Sequence, residues 1–224
     1  MNENTKNNKP ASFTRERGGI SNVNLIFNRV RHGLVLMSFL NLLQRFGLVF
    51  FPYWIEIEGL ERCKEPNIRD NPDLYQVRTL NKAEISDLYS GQYMGFNRPE
   101  EVPDSDYRGV GLYYGKELAA CTILRLHRYV FKARSTNLKS NEAHLENMFT
   151  SNKFRGKNLA AYTRYQAYKI LAENGITTCY SETQCFNKSS QKFKAKLNSQ
   201  RLELRLYVNI LNTLQRNWLL RKYS

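Results

Sequence analysis

One stretch of the sequence, residues 142–186, limits the possible folds more than any other. It begins with a strand-like segment, EAHLENMFT, and passes through a short basic turn into a segment whose apolar residues have helical spacing. An Asn-Gly pair typical of helix ends follows, and then a second strand-like segment, ITTCYSETQCF. Two strands that are joined by a helix lie parallel in one sheet. The stretch therefore predicts a β-α-β unit.

The turn inside this unit has the composition of an anion-binding site. In the sequence NKFRGKN, Gly156 lies between Arg155 and Lys157, directly before the helix. A glycine permits a left-handed backbone or a close approach to a ligand, and the first turn of a helix offers unpaired N–H groups with a partial positive charge. Phosphate is the natural ligand for this combination. An ordinary solvated turn is the alternative.

The segments around this unit predict further strands and helices. Before it, LYQVRTL predicts a strand, NKAEISDLYSGQYMG a short helix, and GVGLYYGKELAACTILRLHRY a hairpin that turns at Gly115-Lys116. After it, NKSSQKFKAKLN predicts a helix with Asn187 as its cap, and RLELRLYVNI predicts a closing strand. We therefore predict an α+β domain over residues 71–224, with an antiparallel first half.

The residues before this domain predict a tail and an extension. Residues 1–20 are polar and predict a disordered tail. Residues 21–70 predict an amphipathic helix, which stops at Gly47, and then an irregular or edge segment around Pro52. The apolar run of the helix is too short to cross a membrane. Packing on the main domain is the first interpretation, and a peripheral membrane contact through residues 23–60 is the alternative.

Composition and charge restrict the partners. Hydrophobic residues make up 42% of the 224 residues, which is enough for a real core, and the net charge of +14 calls for an anionic partner. Fourteen basic and three acidic residues lie between residues 151 and 224, around the basic turn. The four cysteines lack CxxC spacing, which favours a reducing compartment and a cytoplasmic protein, and the three scattered histidines predict no metal site.

At this point the sequence resembles the GNAT superfamily of acyl-CoA-dependent N-acyltransferases. That family has a strand, a phosphate turn with the pattern Arg/Gln-x-x-Gly-x-Gly/Ala that opens a helix, then a strand that ends in Asn and a helix that ends near Lys-Leu-Gly-Phe. The matching residues here are Arg155, Ala160, Asn187, Phe193, Lys196 and Leu197. Asn158 and Asn198 stand where the family has glycine, which is tolerable because asparagine enters left-handed conformations more readily than most residues. The resemblance covers roughly Leu74 to Ile210.

The resemblance implies a fold, a cosubstrate and a set of site residues. It implies a mostly antiparallel sheet flanked by helices, and acetyl-CoA or CoA bound without a metal. The CoA-binding residues that it implies are Phe149, Thr150, Ser151, Arg155, Gly156, Lys157, Asn158, Leu159, Ala160 and Asn187. Glu146 and His144 are alternative general bases, since they are two residues apart on one strand face, and Lys194 takes the place of the tyrosine that often protonates the leaving thiolate.

We therefore expect an N-acyltransferase that transfers an acetyl group to a primary amine of a small molecule or amino sugar. One alternative is transfer of a longer acyl chain from CoA or an acyl-carrier protein at a membrane surface. Another is a basic nucleic-acid-binding module on the same scaffold, although no recognition motif for nucleic acid is visible. The residues at 95–109 and the N-terminal extension are the expected walls of the acceptor site.

Overall fold

The computed structural model describes residues 34–89 and 107–223. The chain divides into two compact units, residues 1–39 and residues 40–224. Of the first unit, only the opening residues of one helix are described, so the fold below is that of the second unit. The predicted tail, the predicted helical residues 23–33 and most of the expected acceptor loop at 95–109 lie outside the described residues.

Four α-helices and ten β-strands are described in these ranges. The helices are α1 (Leu34–Arg45), α2 (Lys82–Tyr89), α3 (Leu159–Glu173) and α4 (Lys188–Ala195). The strands are β1 (Leu48–Glu58), β2 (Tyr75–Leu80), β3 (Tyr107–Tyr114), β4 (Glu117–Arg125), β5 (Arg128–Phe131), β6 (Arg134–Asn137), β7 (Glu142–Thr150), β8 (Thr178–Gln184), β9 (Gln200–Ile210) and β10 (Leu214–Lys222).

Eight of the strands form one sheet in the order β10-β9-β1-β8-β7-β4-β3-β2, and β5 and β6 form a separate hairpin. Every neighbouring pair in the large sheet is antiparallel except β7 and β8, which are parallel and are joined by α3. This confirms the predicted β-α-β unit and the predicted mostly antiparallel α+β fold. The helix α3 ends, as predicted, before Asn174 and the left-handed Gly175.

Strand β1 corrects the prediction for the extension. It lies inside the sheet and pairs with both β8 and β9, so the sheet begins well before residue 71 and the prediction of an irregular or edge segment is wrong. Pro52 is tolerated there because its nitrogen points to the same side as its carbonyl, where β8 has already ended and Cys185 N–H donates to that carbonyl over 3.0 Å. No ladder bond to β9 is lost. The predicted stop at Gly47 is confirmed, because α1 ends before it and its φ is +75°.

Two further strand features depart from the sequence predictions. The predicted closing strand, β9, does not close the fold, because β10 pairs along its outer side and forms the edge of the sheet. The β5–β6 hairpin follows the predicted β3–β4 hairpin, and its Phe131 ring packs against the Tyr53 ring of β1 at 5.1 Å between centroids. The hairpin therefore lies over one face of the sheet.

The core has two layers, one on each face of the sheet. Consecutive residues of β4 point to opposite faces, so Leu124 packs in the cluster that contains Tyr168 of α3, whereas Ile123 packs with Ile85 of α2. Burial of each such side chain stabilises the fold by about 1.5–3 kcal/mol. Helices α3 and α4 thus cover one face, called the α3 face below, and α2 and the β5–β6 hairpin lie over the other, called the α2 face.

Candidate active site

Strands β7 and β8 diverge after a short parallel pairing. They pair only at Glu142–His144 with Thr178–Tyr180, although β7 continues to Thr150 and β8 to Gln184. The other edge of β7 stays paired with β4 as far as Thr150. Within this described part of the sheet, a wedge therefore opens between β7 and β8, and main-chain groups of β7 face it without a partner strand. An extended ligand can bind in such a wedge as an added strand.

A β-bulge changes the direction of side chains in β7. Ile123 pairs with Asn147 and the next residue of β4 pairs with Leu145, so Glu146 is the extra residue. Leu145 packs beneath α3, whereas Glu146 and Asn147 both contact the Tyr89 hydroxyl of α2. His144 and Glu146 therefore lie on the α2 face together, as strand parity predicts, but they enter separate hydrogen-bond networks.

Glu146 is held by a buried arginine. Arg125 Nη2 donates to Glu146 Oε1 over 2.7 Å, and Arg125 Nε donates to Oε2 over 2.9 Å. The Tyr89 hydroxyl donates to Oε2 as well, over 3.1 Å. Burial, followed by the negative charge of Glu146, raises the pKa of Tyr89 far above its usual value. Both carboxylate oxygens of Glu146 thus already accept strong hydrogen bonds.

His144 forms a buried pair with a carboxylate from the opposite strand. Its Nε2 contacts Glu182 Oε2, and its ring stacks on the Tyr129 ring of β5 at 3.8 Å between centroids and 3° between planes. The Tyr129 hydroxyl accepts a hydrogen bond from Arg134 Nη1, and burial raises the pKa of Tyr129 to about 12. The His144 and Glu182 side chains are only 3% and 4% exposed.

Two buried polar atoms of this pair have no hydrogen-bond partner among the described residues. They are His144 Nδ1 and Glu182 Oε1. Buried polar atoms are paired in the large majority of cases, and each exception calls for a physical reason. A neutral imidazole that donates Nε2–H to Glu182 has its lone pair on Nδ1, which suits proton acceptance. The pair is therefore a candidate for a base and the carboxylate that orients it.

The turn after β7 has the backbone that the sequence predicts. A 3-10 turn at Asn152–Phe154 leads to Gly156 with φ +85°, and Asn158, directly before α3, has φ +66° and ψ +19°. Asn198 is also left-handed, at +50°, so both asparagines that replace family glycines adopt the glycine-like backbone. An added Cβ at Gly156 would meet nothing within 4 Å, so glycine is favoured there by conformation rather than by space.

Side chains fix this turn to its neighbours. Asn158 Nδ2 donates to the Asn67 carbonyl over 2.8 Å, and Lys196 Nζ donates to Asn158 Oδ1 over 2.5 Å. Lys157 Nζ forms an ion pair with Asp70 Oδ2 at 2.6 Å, and this hydrogen bond raises the pKa of Lys157 and lowers that of Asp70. The turn is therefore preorganised and keeps its cations at the start of α3.

The other predicted CoA-binding residues lie along the same edge. Arg155 is exposed and its Nε contacts the Thr150 carbonyl at 3.4 Å, while Ser151 N–H donates to the Ala119 carbonyl. Phe149 packs with the α2-face cluster, Leu159 is buried in the core, and Ala160 is half-buried in the first turn of α3. Asn187 caps α4, as predicted, because its Oδ1 accepts from Ser190 N–H over 3.0 Å.

Lys194 lies on the α3 face, in a buried polar network. Its Nζ contacts Glu56 Oε2 at 2.9 Å and Glu58 Oε1 at 3.4 Å. It also donates to the hydroxyls of Ser181 and Thr183, over 2.6 and 2.5 Å. Burial would raise the pKa of Glu58, but the positive charges of Lys194 and Arg164, with hydrogen bonds from Ser181 and Tyr168, lower it to about 2.

Comparison with known proteins identifies the domain that contains the wedge and the turn. The model of the acetyltransferase (GNAT) family matches residues 74–198. This chain belongs to the GNAT family. No curated protein sequence matches it significantly.

Solved GNAT structures share its fold. The chain is similar to a GCN5-related N-acetyltransferase from Kribbella flavida, with a TM-score of 0.52 and 11% identity over 75% of this chain and 62% of that one. For a GNAT-family acetyltransferase from Novosphingobium aromaticivorans, the TM-score is 0.50 and the identity 16%, over 73% of this chain and 66% of that one. For a tandem GNAT protein from the clavulanic acid biosynthesis pathway, the TM-score is 0.50 and the identity 11%, over 78% of this chain and 55% of that one. The chain spans less than two thirds of the length of each of these proteins.

The GNAT domain contains site residues that the sequence did not single out. They are Glu182 beside His144, Tyr129 stacked on it, and Arg125 and Tyr89 around Glu146. Of these residues, Glu182 is the one that the sequence could best have indicated. It is one of three acidic residues after position 150, and it lies in a strand of alternating buried residues. Tyr129 is the last residue of the predicted β3–β4 hairpin, but β4 ends at Arg125 and Tyr129 belongs to the separate β5–β6 hairpin. Residues 34–89 and 107–223 contain no cluster of three or more His, Cys, Asp or Glu side chains that could hold a metal ion.

Proposed function

We propose that this protein transfers an acetyl group from acetyl-CoA to a primary amine of a small molecule or amino sugar. The observation that carries the proposal is the wedge between β7 and β8, which ends at a preorganised basic turn before α3. A long ligand with phosphates at one end and an extended amide-containing arm at the other fits these two features together. Membership of the GNAT family supports the same reading.

On the donor side, the turn from Arg155 to Ala160 would hold the pyrophosphate of CoA. The first N–H groups of α3 have no partner within the helix, Arg155 adds a full positive charge beside them, and Lys157, whose charge is shared with Asp70, lies next to it. The main chain of Thr150 would hold the pantetheine arm along the wedge as an added strand, since main-chain groups alternate along a strand and the neighbouring Ser151 N–H faces β4. Bound acetyl-CoA would supply an already activated thioester, so the protein needs no covalent nucleophile.

On the acceptor side, His144 is the better base of the two candidates. Glu146 already accepts two hydrogen bonds from Arg125 and one from Tyr89, so both of its oxygens are engaged within the protein. His144 has an unpartnered Nδ1 and a carboxylate, Glu182, on its other nitrogen. This arrangement fixes the tautomer and stabilises the imidazolium that forms when the amine loses its proton.

The reaction forms the amide C–N bond and breaks the C–S bond, and the thiolate of CoA leaves and takes up a proton. The sequence predicts Lys194 as the donor of that proton. Its contacts with two carboxylates and two hydroxyls favour another role, which is to fix strand β8 from behind. We therefore propose Lys194 as a structural cation and a solvent molecule as the source of the proton.

Calorimetric titration of the full chain with acetyl-CoA, decanoyl-CoA and CoA tests the donor. The proposal predicts saturable binding of acetyl-CoA and CoA, and release of free thiol when a panel of small amines and amino sugars is added. Much tighter binding of decanoyl-CoA, with turnover, would support the longer-chain alternative instead. If none of the three compounds binds, the proposal that the protein uses acyl-CoA as its acyl donor is wrong.

A further inference from the structure

Strand β10 exposes large apolar side chains along the edge of the sheet. Among the described strands it pairs with β9 alone, and eight of its nine residues are exposed. They include three consecutive apolar residues at its centre, Trp218, Leu219 and Leu220, which are 48%, 41% and 54% exposed. Isolated exposed apolar residues are common on proteins, but a row of them along one edge requires an explanation.

The apolar surface continues around the turn between β9 and β10. Leu211 and Leu214 are exposed at this turn, and Leu211 N–H donates to the Gly47 carbonyl over 2.7 Å. The exposed Phe46 ring, directly before Gly47, extends the same end of the sheet. We call this surface the β10 rim, and it consists of Phe46, Leu211, Leu214, Trp218, Leu219 and Leu220.

Cations accompany these apolar residues. Strand β10 contains Arg216, Arg221 and Lys222 and no acidic residue. The acidic residue of β9, Glu203, is already paired with Arg205 at 2.6 Å. The rim thus lies beside positive charges that no acidic residue of β9 or β10 is left to balance, and its partner must offer both an apolar interior and a negative surface.

A second copy of the chain does not fit this description. Antiparallel pairing of two β10 edges would bring two sets of three cations together, and cations on an edge strand oppose such pairing. The edge is also irregular. Leu219 pairs with Arg205 and Arg221 pairs with Leu204, so Leu220 forms a bulge, which is another feature that blocks edge-to-edge association.

We propose that the β10 rim binds the surface of a membrane that contains anionic lipids. Tryptophan is favoured at the level of lipid headgroups, leucines can enter the acyl boundary, and each cation near the surface attracts anionic lipid. The contact is peripheral, and among residues 34–89 and 107–223 no helix is long and apolar enough to cross a membrane. The inference is independent of the proposed acyl transfer, since the rim shares no residue with the wedge.

Sedimentation of the full chain with lipid vesicles tests this proposal. The protein should bind vesicles of phosphatidylcholine mixed with phosphatidylglycerol much more strongly than vesicles of phosphatidylcholine. The triple variant Arg216→Gln, Arg221→Gln, Lys222→Gln should bind the anionic vesicles about a hundredfold more weakly, because each cation near the surface contributes about fivefold. The matched control is Lys82→Gln, Lys116→Gln, Lys139→Gln, which removes three exposed lysines elsewhere and the same net charge.

Tryptophan fluorescence gives a second readout that charge effects cannot mimic. Trp54 and Trp218 are the two tryptophans of the chain, so the variant Trp54→Phe reports on Trp218. Its emission should shift to shorter wavelength on anionic vesicles. An equal loss of binding in both triple variants, or an unchanged emission, would overturn the proposal. So would an ultracentrifugation result in which the chain is a dimer that Trp218→Ser with Leu220→Ser converts to monomers.

Discussion

The two faces of strand β8 carry two buried polar clusters, and they differ in whether the central side chain of each, Lys194 or His144, has a partner for all of its polar atoms. On the α3 face, Ser181 and Thr183 contact Lys194, whose ammonium has four short polar contacts to buried groups. On the α2 face, Glu182 meets His144, and each of these two side chains keeps one buried polar atom without a partner among the described residues. Consecutive residues of one strand thus enter opposite environments.

This difference indicates which cluster has a structural role in fixing β8 and which one is available to react with a substrate. A buried charge whose hydrogen bonds are all satisfied stabilises one arrangement and offers nothing to a ligand. An unpartnered buried imidazole nitrogen, which can accept a proton, has a cost in stability beside an orienting carboxylate that a structural role does not explain. We therefore assign catalysis to the His144 cluster and support of β8 to the Lys194 cluster.

The largest expected effect is on the α2 face. The substitution His144→Asn removes the proposed base and should lower kcat/KM by about 10²–10⁴-fold with little change in the Kd for CoA. Steady-state kinetics with the amine that gives turnover, and calorimetry with CoA, measure both quantities. The companion variant Glu146→Gln should mainly lower stability, because it weakens the pairing of the buried Arg125. A steep loss of turnover in Glu146→Gln together with near wild-type turnover in His144→Asn would reverse the assignment of the base.

On the α3 face, Lys194→Met should chiefly reduce stability. It leaves two buried carboxylates without their nearest cation, which costs about 3–5 kcal/mol in the free energy of unfolding. For a chain of this size that loss corresponds to a decrease in Tm of roughly 10 °C. The control is Lys192→Met, an exposed lysine on the same helix, which should change Tm little. A folded, equally stable Lys194→Met variant that has lost turnover would instead support the predicted proton donor.

Acid should weaken the α3 face through Glu58. The pKa of Glu58 in the folded protein, about 2, lies below its ordinary value. The stabilising contribution of the charged carboxylate is therefore complete at a pH above the ordinary pKa and is lost as the pH falls towards the folded pKa. Between about pH 6 and pH 3 the free energy of unfolding should fall by roughly 2 kcal/mol from this group. Urea unfolding at several pH values should show that Glu58→Gln lacks this decrement, whereas Glu61→Gln, at an exposed position, keeps it. Parallel acid limbs in the wild type and in Glu58→Gln would contradict the role of Glu58.

The smallest of these effects separates the binding of CoA from both faces of β8. Arg155→Glu replaces a cation by an anion at the turn and should raise the Kd for CoA at least about tenfold, with Tm unchanged. Lys169→Glu, on the exposed side of α3, is the matched control and should leave the Kd near the wild-type value. If the two variants gave the same Kd, the turn would not be the phosphate site.

The local structure around the turn could be predicted from the sequence because short-range rules decide it. The left-handed backbone at Gly156 and Asn158 and the cap at Asn187 follow from the preferences of single residues. Strand β1 could not be placed in the same way. Its position between β8 and β9 depends on pairing with segments that are distant in the sequence. The local pattern predicted an edge strand, because Pro52 cannot donate a main-chain hydrogen bond.

The partners of the site residues were equally inaccessible to sequence reasoning. Strand parity predicts that His144 and Glu146 share one face, but it does not predict the bulge in β7. The partners Arg125, Glu182 and Tyr129 lie in three other strands, which are distant in the sequence or not predicted. The expected role of Lys194 rested on its position in the family motif. Its burial between two glutamates depends on the pairing of β1 with β8, which no local pattern in the sequence indicates.

The most direct test of the central claim compares neighbouring residues on the two faces of β8. Glu182→Gln and Thr183→Val preserve shape and remove one polar function each, so Tm and kcat/KM per folded molecule can be measured side by side. We expect Glu182→Gln to lower kcat/KM by at least about a hundredfold with little change in Tm. We expect Thr183→Val to lower the free energy of unfolding by about 1–3 kcal/mol, because it removes a buried hydroxyl that accepts from Lys194 and donates to Glu56, with kcat/KM near the wild-type value. The reverse result, in which Thr183→Val loses turnover and Glu182→Gln only loses stability, would contradict the assignment of the two faces.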